Sequence, residues 1–334
     1  MTAKSQIDLE LRPAELSDSE LVADLETARN PEDPRDPAMQ RFWWTADPAA
    51  EVRTRLIAEL DGVAIAYVMA RHAAWKDGVR RFGSIRIVLH PDHWTVSRHQ
   101  HLIEIAESWL KSEGCETVVA MVGEKLENEL RVFDARGCRE VRRGRQWELD
   151  LIANRDRLLA GAELSRKRMV EQGVRILTLD KDADPNRLAD LYEVWDAAEH
   201  DIPSTVPIPV TPYDEWYHLW FENPGVCSDR LWIAREGDAI VGLSAIEYPP
   251  VRGFPWTAFT GTSPAVRGRG IARALKYETI AQAIGLGSER VRTQNDGENA
   301  PILHLNAEMG YVPIDPVLEL HRELHRELHR ELSE

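Results

Sequence analysis

A turn rich in arginine and glycine lies between a short strand-like segment and a helical one. Residues 256–262 are aromatic and β-branched, which favours a strand. From Ile271 onward isoleucine and leucine recur at helical spacing. The turn itself, at 267–270, reads RGRG, in which Arg267 and Arg269 add positive charge. Because a strand, a glycine-rich turn and a helix N-terminus bring backbone N–H groups and partial positive charge to one point, the sequence predicts a phosphate site.

The spacing within this turn distinguishes it from two common phosphate-binding motifs. It lacks the Gly-Lys-Ser/Thr of a P-loop and the third glycine of a dinucleotide-binding fingerprint. Arg267-x-x-Gly270-x-Ala272 instead resembles the Arg/Gln-x-x-Gly-x-Gly/Ala loop of the GNAT superfamily of acyl-CoA-dependent N-acyltransferases.

Residues downstream of the turn support the same resemblance. The segment VRTQN at 291–295, then Asn299, then Gly310-Tyr311 are similar in order and spacing to three GNAT features. These features are the fifth strand, the helix opened by an asparagine, and the glycine–aromatic step into the last strands. The C-terminal half is therefore identified as a member of the GNAT superfamily.

Length and composition describe an ordinary globular protein with room for two domains. The chain has 334 residues, of which 43% are hydrophobic and 29% charged, and its formal net charge is −15. This charge argues against a nucleic-acid or membrane partner and suits a cationic substrate. Three widely spaced cysteines, with neither an apolar leader nor a long apolar run, favour a cytoplasmic protein.

The two halves of the chain repeat one order of predicted elements. Pro91 and Pro264 lie 173 positions apart, as do Gly137 and Gly310, and a constant offset indicates an internal duplication. We therefore expect two tandem GNAT domains of the α+β class, each a mixed, mostly antiparallel sheet flanked by helices. The expected parts are a first domain at 1–153, a helical linker at 154–172, a catalytic domain at 173–320 and a charged extension at 321–334.

The first half lacks the residues of the phosphate turn. Where the second half has VRGRG at 266–270, the first has HWTVS at 93–97. No glycine remains there to admit a pyrophosphate, and Trp94 and Val96 add bulk. We expect this domain to be degenerate, a scaffold or a wall beside the acceptor, with catalysis in the C-terminal domain.

The resemblance implies acetyl-CoA as cosubstrate. In GNAT domains the pantetheine arm lies where the strand before the loop separates from the next strand, and the loop N–H groups bind the pyrophosphate. The residues that the resemblance assigns to cofactor contacts are Thr260, Gly261, Thr262, Val266, Arg267, Gly268, Arg269, Gly270, Ile271, Ala272, Asn295 and Asn299. Asn299 can alternatively cap the next helix, since Pro301 falls just inside its start.

The catalytic residues depart from the usual GNAT pattern. Many family members place a tyrosine seven residues after the helix-opening asparagine, as the acid for the leaving thiolate, and here that residue is Asn306. Asn306 can hydrogen-bond the sulfur but cannot protonate it, so we expect the thiolate to leave unprotonated, which a thiol pKa of about 8.5 permits. For the general base we expect Glu247, with Glu199, His200 and Asp201 as alternatives.

The sequence thus predicts an acetyl-CoA-dependent N-acetyltransferase that acts on the primary amine of a small molecule by direct attack, as a monomer or homodimer. A non-catalytic acyl-CoA-binding or regulatory module is the alternative. No metal site is predicted, although the histidines at 321, 325 and 329 have i, i+4 spacing.

Two further expectations concern local structure. Residues 51–57 are expected to form a short helix. The aromatic residues Trp216, Tyr217, Trp220 and Trp256 either line an acceptor pocket or, as helical spacing favours for Trp216 and Trp220, belong to the core.

Overall fold

The computed structural model describes residues 9–46, 51–73, 80–207 and 210–324. The elements of the first half are, in chain order, β1 (Glu10–Pro13), α1 (Ser19–Arg29), α2 (Pro37–Thr45), β2 (Glu51–Leu60), β3 (Val63–Ala73), β4 (Phe82–Leu89), α3 (Val96–Ser112), β5 (Thr117–Gly123), α4 (Glu127–Ala135) and β6 (Arg139–Asp150). Those of the second half are α5 (Arg155–Glu171), β7 (Val174–Thr178), α6 (Arg187–Glu199), α7 (Tyr213–Phe221), β8 (Leu231–Glu236), β9 (Ala239–Glu247), β10 (Trp256–Thr262), α8 (Ile271–Gly285), β11 (Arg290–Asp296), α9 (Ala300–Met309) and β12 (Val312–Glu323).

The chain divides into two compact units that do not follow the halves of the sequence. The first unit contains the residues up to Arg143 and those from Asp315 on, and the second contains Gly144–Ile314. Within the described residues, no helix is long and apolar enough to cross a bilayer.

The first unit is a sheet in the order β1-β2-β3-β4-β5-β12. Its neighbours are antiparallel except β4 and β5, which are parallel. The last strand, β12, pairs with β5 from Val317↔Gly123 to Glu323↔Thr117. Leu318, Leu320 and Leu324 thereby enter the core of this unit, which explains why the residues from 315 on belong to it.

The second unit repeats this arrangement in the order β7-β8-β9-β10-β11-β6. The parallel pair is β10 and β11, and β11 pairs antiparallel with β6 from Asp150↔Arg290 to Gly144↔Asp296. The helices α5 and α8 cover one face of the sheet, and α6 and α7 cover the other. In each unit the strand beside the parallel pair comes from the other half of the sequence, so the compact units differ from the boundaries expected at 153 and 173.

The expected helix at residues 51–57 is wrong, because these residues belong to the strand β2. The segment EVRTRLIAEL contains β-branched residues that fit a half-buried pleated surface. β2 lies between β1 and β3 and pairs with both. The pairing decides the outcome, since good helix formers such as Leu56 and Glu59 occupy the same segment.

The contribution of β12 to the first unit can be tested at Leu320. Replacing Leu320 by alanine should lower the free energy of unfolding of this unit by about 2–5 kcal/mol, because it leaves a cavity in a packed core. Its side chain is 6% exposed. Hydrogen exchange measured by mass spectrometry should show faster exchange in β5 peptides. The control is Leu286→Ala, because Leu286 follows α8 and is 49% exposed. Exchange that becomes faster only in peptides of the second unit would contradict the pairing of β12 with β5.

Candidate active site

β10 and β11 are parallel neighbours that separate along their length. The structure pairs them at Trp256 and Arg292, whereas β10 stays paired with β9 as far as Thr262. A register shift places a one-residue bulge at Ala258, whose side chain is exposed between buried neighbours. Bulges bend a strand and interrupt its pairing. Because β10 has no β11 partner after Trp256, its edge beyond the bulge is open toward β11, in the segment that the resemblance assigns to the pantetheine arm.

The loop after β10 leads into the N-terminus of α8. A 3₁₀ turn at Pro264–Val266 and an extended Arg267 precede Gly268 and Gly270, whose φ angles are +76° and +86°. Glycine adopts this left-handed conformation without the steric cost of a Cβ. Gly270 is the N-cap of α8, and no side chain of the described residues caps this helix end. The first N–H groups of α8, beginning at Ile271, are thus left for an anion.

The two loop arginines are partnered by carboxylates. Arg267 forms an ion pair with Asp201, and Arg269 donates two hydrogen bonds, of 2.8 and 3.0 Å, to the carboxylate of Glu236. The sequence suggested that both arginines add positive charge at the phosphate site. In the structure that charge is offset by neighbouring acids, so the backbone N–H groups carry more of the expected anion binding.

A third arginine, which the sequence analysis did not single out, lies beside Gly270. The guanidinium carbon of Arg168 on α5 is 3.7 Å from the position that a Cβ on Gly270 would take. The side chain is exposed, and within the described part of the chain it forms no ion pair. Arg168 therefore adds an unpaired cation to the loop. In the sequence, Arg168 is part of the basic string SRKR at 165–168, in a segment that was interpreted as a linker.

Asn295 and Asn299 have different surroundings. Asn299 occupies the N-cap position of α9, but its side chain caps no N–H group among the described residues. The structure thus gives no support to a purely capping role. Asn295 on β11 accepts a hydrogen bond from Nδ2 of Asn306 at 2.6 Å. Both side chains are half-buried.

Asn306 is part of a buried polar network that includes a lysine. Nζ of Lys276, on α8, donates to Oδ1 of Asn306 and lies 4.6 Å from the ring centre of Tyr311. Asn306 is 0% and Lys276 1% exposed. Burial lowers the pKa of Lys276 to about 7, because an apolar environment disfavours the ammonium form. Lys276 was not predicted as a functional residue, because the sequence shows only a lysine one turn before the core residue Ile280.

Glu247 ends β9 opposite Trp256, at the point where β10 and β11 are still paired. Nδ2 of Asn223 donates to its Oε1 at 2.8 Å. Burial raises the pKa of Glu247, and the hydrogen bond from Asn223 offsets part of that rise. A carboxylate with a raised pKa is a stronger proton acceptor, which suits a general base.

The alternative bases differ in their availability. Asp201 is held by Arg267, and Nδ1 of His200 lies 3.5 Å from a carboxylate oxygen of Asp196. Burial raises the pKa of Glu199, as it does for Glu247. Glu199 is therefore the stronger alternative.

The aromatic residues of α7 divide between the core and the surface. Trp216 and Trp220 pack in the core of the second unit, as helical spacing favoured. Tyr217 is exposed, and Trp256 is half-buried at the start of β10.

The first unit has a different structure at the equivalent turn. Its 3₁₀ turn, Pro91–His93, lies 173 positions before that of the second unit. Thr95 caps α3, since its Oγ1 accepts a hydrogen bond from the N–H of Arg98 at 3.2 Å. Nη1 of Arg98 donates to the carbonyl of His93 at 2.9 Å. The helix end that would bind an anion is thus occupied by the chain itself.

The histidines of the C-terminal repeat fall mostly beyond the described residues. His321 lies in β12, where Nε2 contacts Oε1 of Glu319 at 2.6 Å. Residues 325 and 329, which the spacing argument also used, lie outside the described part of the chain.

The chain belongs to the Acetyltransferase (GNAT) family, whose model matches residues 19–137 and again residues 188–311. The two matched segments make up more than half of the chain and confirm the internal duplication. The protein is a tandem GNAT protein, with two GNAT domains of mixed, mostly antiparallel sheet and flanking helices.

Two solved structures resemble the chain along almost its whole length. One is a tandem GNAT protein from the clavulanic acid biosynthesis pathway, solved without AcCoA, with a TM-score of 0.73 and 16% identity, covering 95% of this chain and 99% of that one. The other is a GCN5-related N-acetyltransferase from Sphaerobacter thermophilus, with a TM-score of 0.65 and 19% identity, covering 95% and 96%. At these identities the likeness shows the fold. No curated protein matches the chain.

Proposed function

We propose that the protein is an N-acetyltransferase that uses acetyl-CoA to acetylate a primary amine of a small molecule, with the reaction in the second unit. The observation that carries this proposal is the open edge of β10, which leads directly into the loop of Gly268 and Gly270 and the uncapped start of α8. The edge of β10 toward β11 is unpaired beyond Trp256, and the loop that follows leads to a helix end suited to an anion.

The residues of this run fit the chemistry of acetyl-CoA. The amides of a pantetheine arm can pair with the backbone of β10 from Thr260 to Thr262. A pyrophosphate can accept from the N–H groups of residues 268–272, with Arg168 as a further cation, whereas the N–H groups of Val266 and Arg267 already donate within the 3₁₀ turn. Asn295 and Asn299 lie on the elements that border the other side. A Cβ at Gly270 would lie 3.7 Å from the guanidinium carbon of Arg168, so a side chain there would compete with a phosphate for this position.

Acetyl transfer needs few side chains in this arrangement. Glu247, directly or through a water molecule, takes a proton from the ammonium of the acceptor. The amine nitrogen then forms a bond to the thioester carbonyl carbon, and backbone N–H groups near the bulge at Ala258 stabilise the oxyanion. The carbon–sulfur bond breaks with its electron pair staying on sulfur. Holding both substrates in one geometry supplies most of the remaining rate.

The acceptor is expected to be cationic. The chain carries a net charge of −15, and two carboxylates with burial-raised pKa values, Glu247 and Glu199, belong to the second unit. A negative field attracts an ammonium and raises its local concentration. We expect a monomer or homodimer that binds no nucleic acid and no membrane.

Turnover decides between an enzyme and a binding module. Purified protein incubated with acetyl-CoA and a panel of primary amines should release CoA thiol in an amine-dependent manner, as measured with a thiol reagent. Tight acetyl-CoA binding without release for any amine would favour the non-catalytic acyl-CoA-binding module. This second function is considered because position 306 is an asparagine and not the tyrosine that many family members have.

The number of acetyl-CoA molecules bound should be one per chain. Thr95 occupies the helix end of the first unit, whereas Gly270 leaves that of the second unit uncapped. Isothermal titration calorimetry with acetyl-CoA should therefore give a stoichiometry of about one. Two equal sites would show that the first unit is not degenerate. Thr95→Gly is a useful companion, because it removes the cap without changing the second unit.

A further inference from the structure

Lys276 is a buried cation whose position the acetyl-transfer scheme does not explain. It is 1% exposed, and within the described residues no carboxylate pairs with it. A buried amine without a counter-ion is costly, and a leucine or methionine would fill an apolar helix face at lower cost. Such groups are concentrated at functional sites. The groups around the amine indicate which negative charge it stabilises.

The neighbouring charges already have partners of their own. Ion pairs on the elements around Lys276 include Arg166 of α5 with Glu278 of α8, Arg273 of α8 with Glu308 of α9, and Arg292 of β11 with Glu148 of β6. Among the described residues, the polar and aromatic groups in contact with the amine include the amide of Asn306 and the ring of Tyr311. Both favour a cation, the amide through its oxygen and the ring through its π face.

The hydrogen bonds lead from Lys276 toward the gap between β10 and β11. Lys276 donates to Oδ1 of Asn306, and Nδ2 of Asn306 donates to Oδ1 of Asn295 at 2.6 Å. Asn295 is half-buried and lies on β11, three residues beyond Arg292, where β10 and β11 are paired. The chain of bonds therefore begins in the core and ends on a strand that borders the open edge.

Lys276 also fixes the orientation of the Asn306 amide. An ammonium donates only, so it holds the amide oxygen and turns the NH₂ group away from itself. A positive charge on the lysine polarises that NH₂ group and strengthens its remaining N–H as a donor, because linked hydrogen bonds reinforce one another at low dielectric. Asn306 stands where the resemblance places the group that faces the leaving sulfur.

We propose that Lys276 is a positioning residue that stabilises the departing CoA thiolate with its positive charge, acting through Asn306 and Asn295. The proposal rests on the proposed function, because it requires the thioester to lie between β10 and β11. No proton moves in this step. The carbon–sulfur bond breaks, the electron pair stays on sulfur, and the ammonium lowers the energy of the resulting anion. The charge would replace the acid that the family usually provides as a tyrosine.

The test compares CoA with desulfo-CoA, which lacks the sulfur, by calorimetry between pH 6 and 9. In the wild-type protein the bound thiol should have a pKa at least about one unit below the usual value of about 8.5, so the affinity ratio of CoA to desulfo-CoA should rise with pH. Because burial lowers the pKa of Lys276 to about 7 in the free protein, the ratio should level off above that pH, where the lysine must take up a proton to pair with the thiolate. A bound thiol with an unshifted pKa overturns the proposal on the wild-type protein alone.

Three variants separate charge from shape. Lys276→Met removes the charge and the donor, and Lys276→Gln removes the charge but keeps a donor for Asn306. In both, the bound-thiol pKa should return toward its usual value, and kcat should fall by about tenfold with little change in the KM for acetyl-CoA. Lys167→Met, at an exposed lysine paired with Glu163 on α5, is the control and should behave as wild type.

The outcomes distinguish this proposal from the proposed function. Wild-type protein that binds neither CoA nor desulfo-CoA would overturn both. Wild-type binding with a thiol pKa that is equally low in Lys276→Gln would overturn the role of Lys276 and leave the proposed function intact. Unchanged desulfo-CoA affinity in the variants shows that the phosphate loop and the fold are preserved.

Discussion

Replacing Gly270 by valine should abolish acetyl-CoA binding, with an affinity loss of at least about 100-fold, or about 2.7 kcal/mol. Two effects act together. Gly270 has a φ of +86°, and a side-chain-bearing residue costs about 1–2 kcal/mol in this left-handed conformation. The new Cβ would also lie 3.7 Å from the guanidinium of Arg168, at the helix end that no side chain of the described residues caps.

A matched control separates the lost site from the strained backbone. Gly287, just after α8, has a φ of +81°, and a Cβ there would meet nothing within 4 Å. Gly287→Val therefore imposes similar strain on the same unit but should keep the wild-type Kd for acetyl-CoA. Both variants should lose similar thermal stability. An unchanged Kd in Gly270→Val would exclude the loop as the phosphate site and remove the main support for the proposed function.

The loop could be predicted from the sequence because its determinants are local. Gly268 and Gly270 are needed where the backbone must adopt positive φ, and the strand and helix on either side are fixed by short patterns. The same holds for α4, which ends at Ala135, two residues before Gly137. Its counterpart α9 begins at Ala300, 173 positions after Glu127, in agreement with the repeat.

Features decided by distant residues could not be predicted in this way. The strand β2 contains good helix formers, and its pairing with β1 and β3 decides its conformation. The sheet position of β12, beside β5, depends on residues almost 200 positions away. No local pattern shows which of two equivalent sheets a strand joins, and so the boundaries of the compact units differ from those of the repeat.

Some functional side chains could not be predicted for the same reason, because distant residues decide their surroundings. Arg168 is one of several exposed basic residues on α5, and its place beside Gly270 follows from the packing of α5 on α8. Lys276 appears in the sequence as one polar residue on a helix, and the structure shows that it is buried and bonded to Asn306. The partners of Arg267 and Arg269 likewise come from other elements, which changes the charge expected at the loop.

Replacing Glu247 by glutamine should lower kcat/KM by about 10²–10⁴-fold at pH values between the raised pKa of Glu247 and the pKa of the amine, a loss typical of a missing general base. Burial raises the pKa of Glu247, so in the wild-type enzyme the base form is lost as the pH falls through that raised value. The glutamine variant should lose this dependence, because the amide does not titrate. Its rate should approach that of the wild type as the pH nears the pKa of the amine, where the acceptor deprotonates without help.

The fold should tolerate this substitution, which makes the kinetic result interpretable. Oε1 of glutamine can still accept the hydrogen bond from Asn223, 2.8 Å long in the wild type. Because the carboxylate has a higher pKa in the folded protein than in the unfolded chain, its ionised form costs stability above that pKa. Glu247→Gln should therefore be at least as stable as wild type at neutral pH, as measured by thermal unfolding.

Glu199→Gln is the comparison that assigns the base. Burial raises the pKa of Glu199 as well, and Glu199 is the last residue of α6, whereas Glu247 lies opposite Trp256 at the point where β10 and β11 are still paired. The Glu199 variant should keep the wild-type pH profile and change mainly the KM for the amine, by weakening the attraction of a cationic acceptor. If instead Glu199→Gln changes the pH profile and Glu247→Gln changes mainly the KM for the amine, Glu199 takes the proton and Glu247 attracts the acceptor.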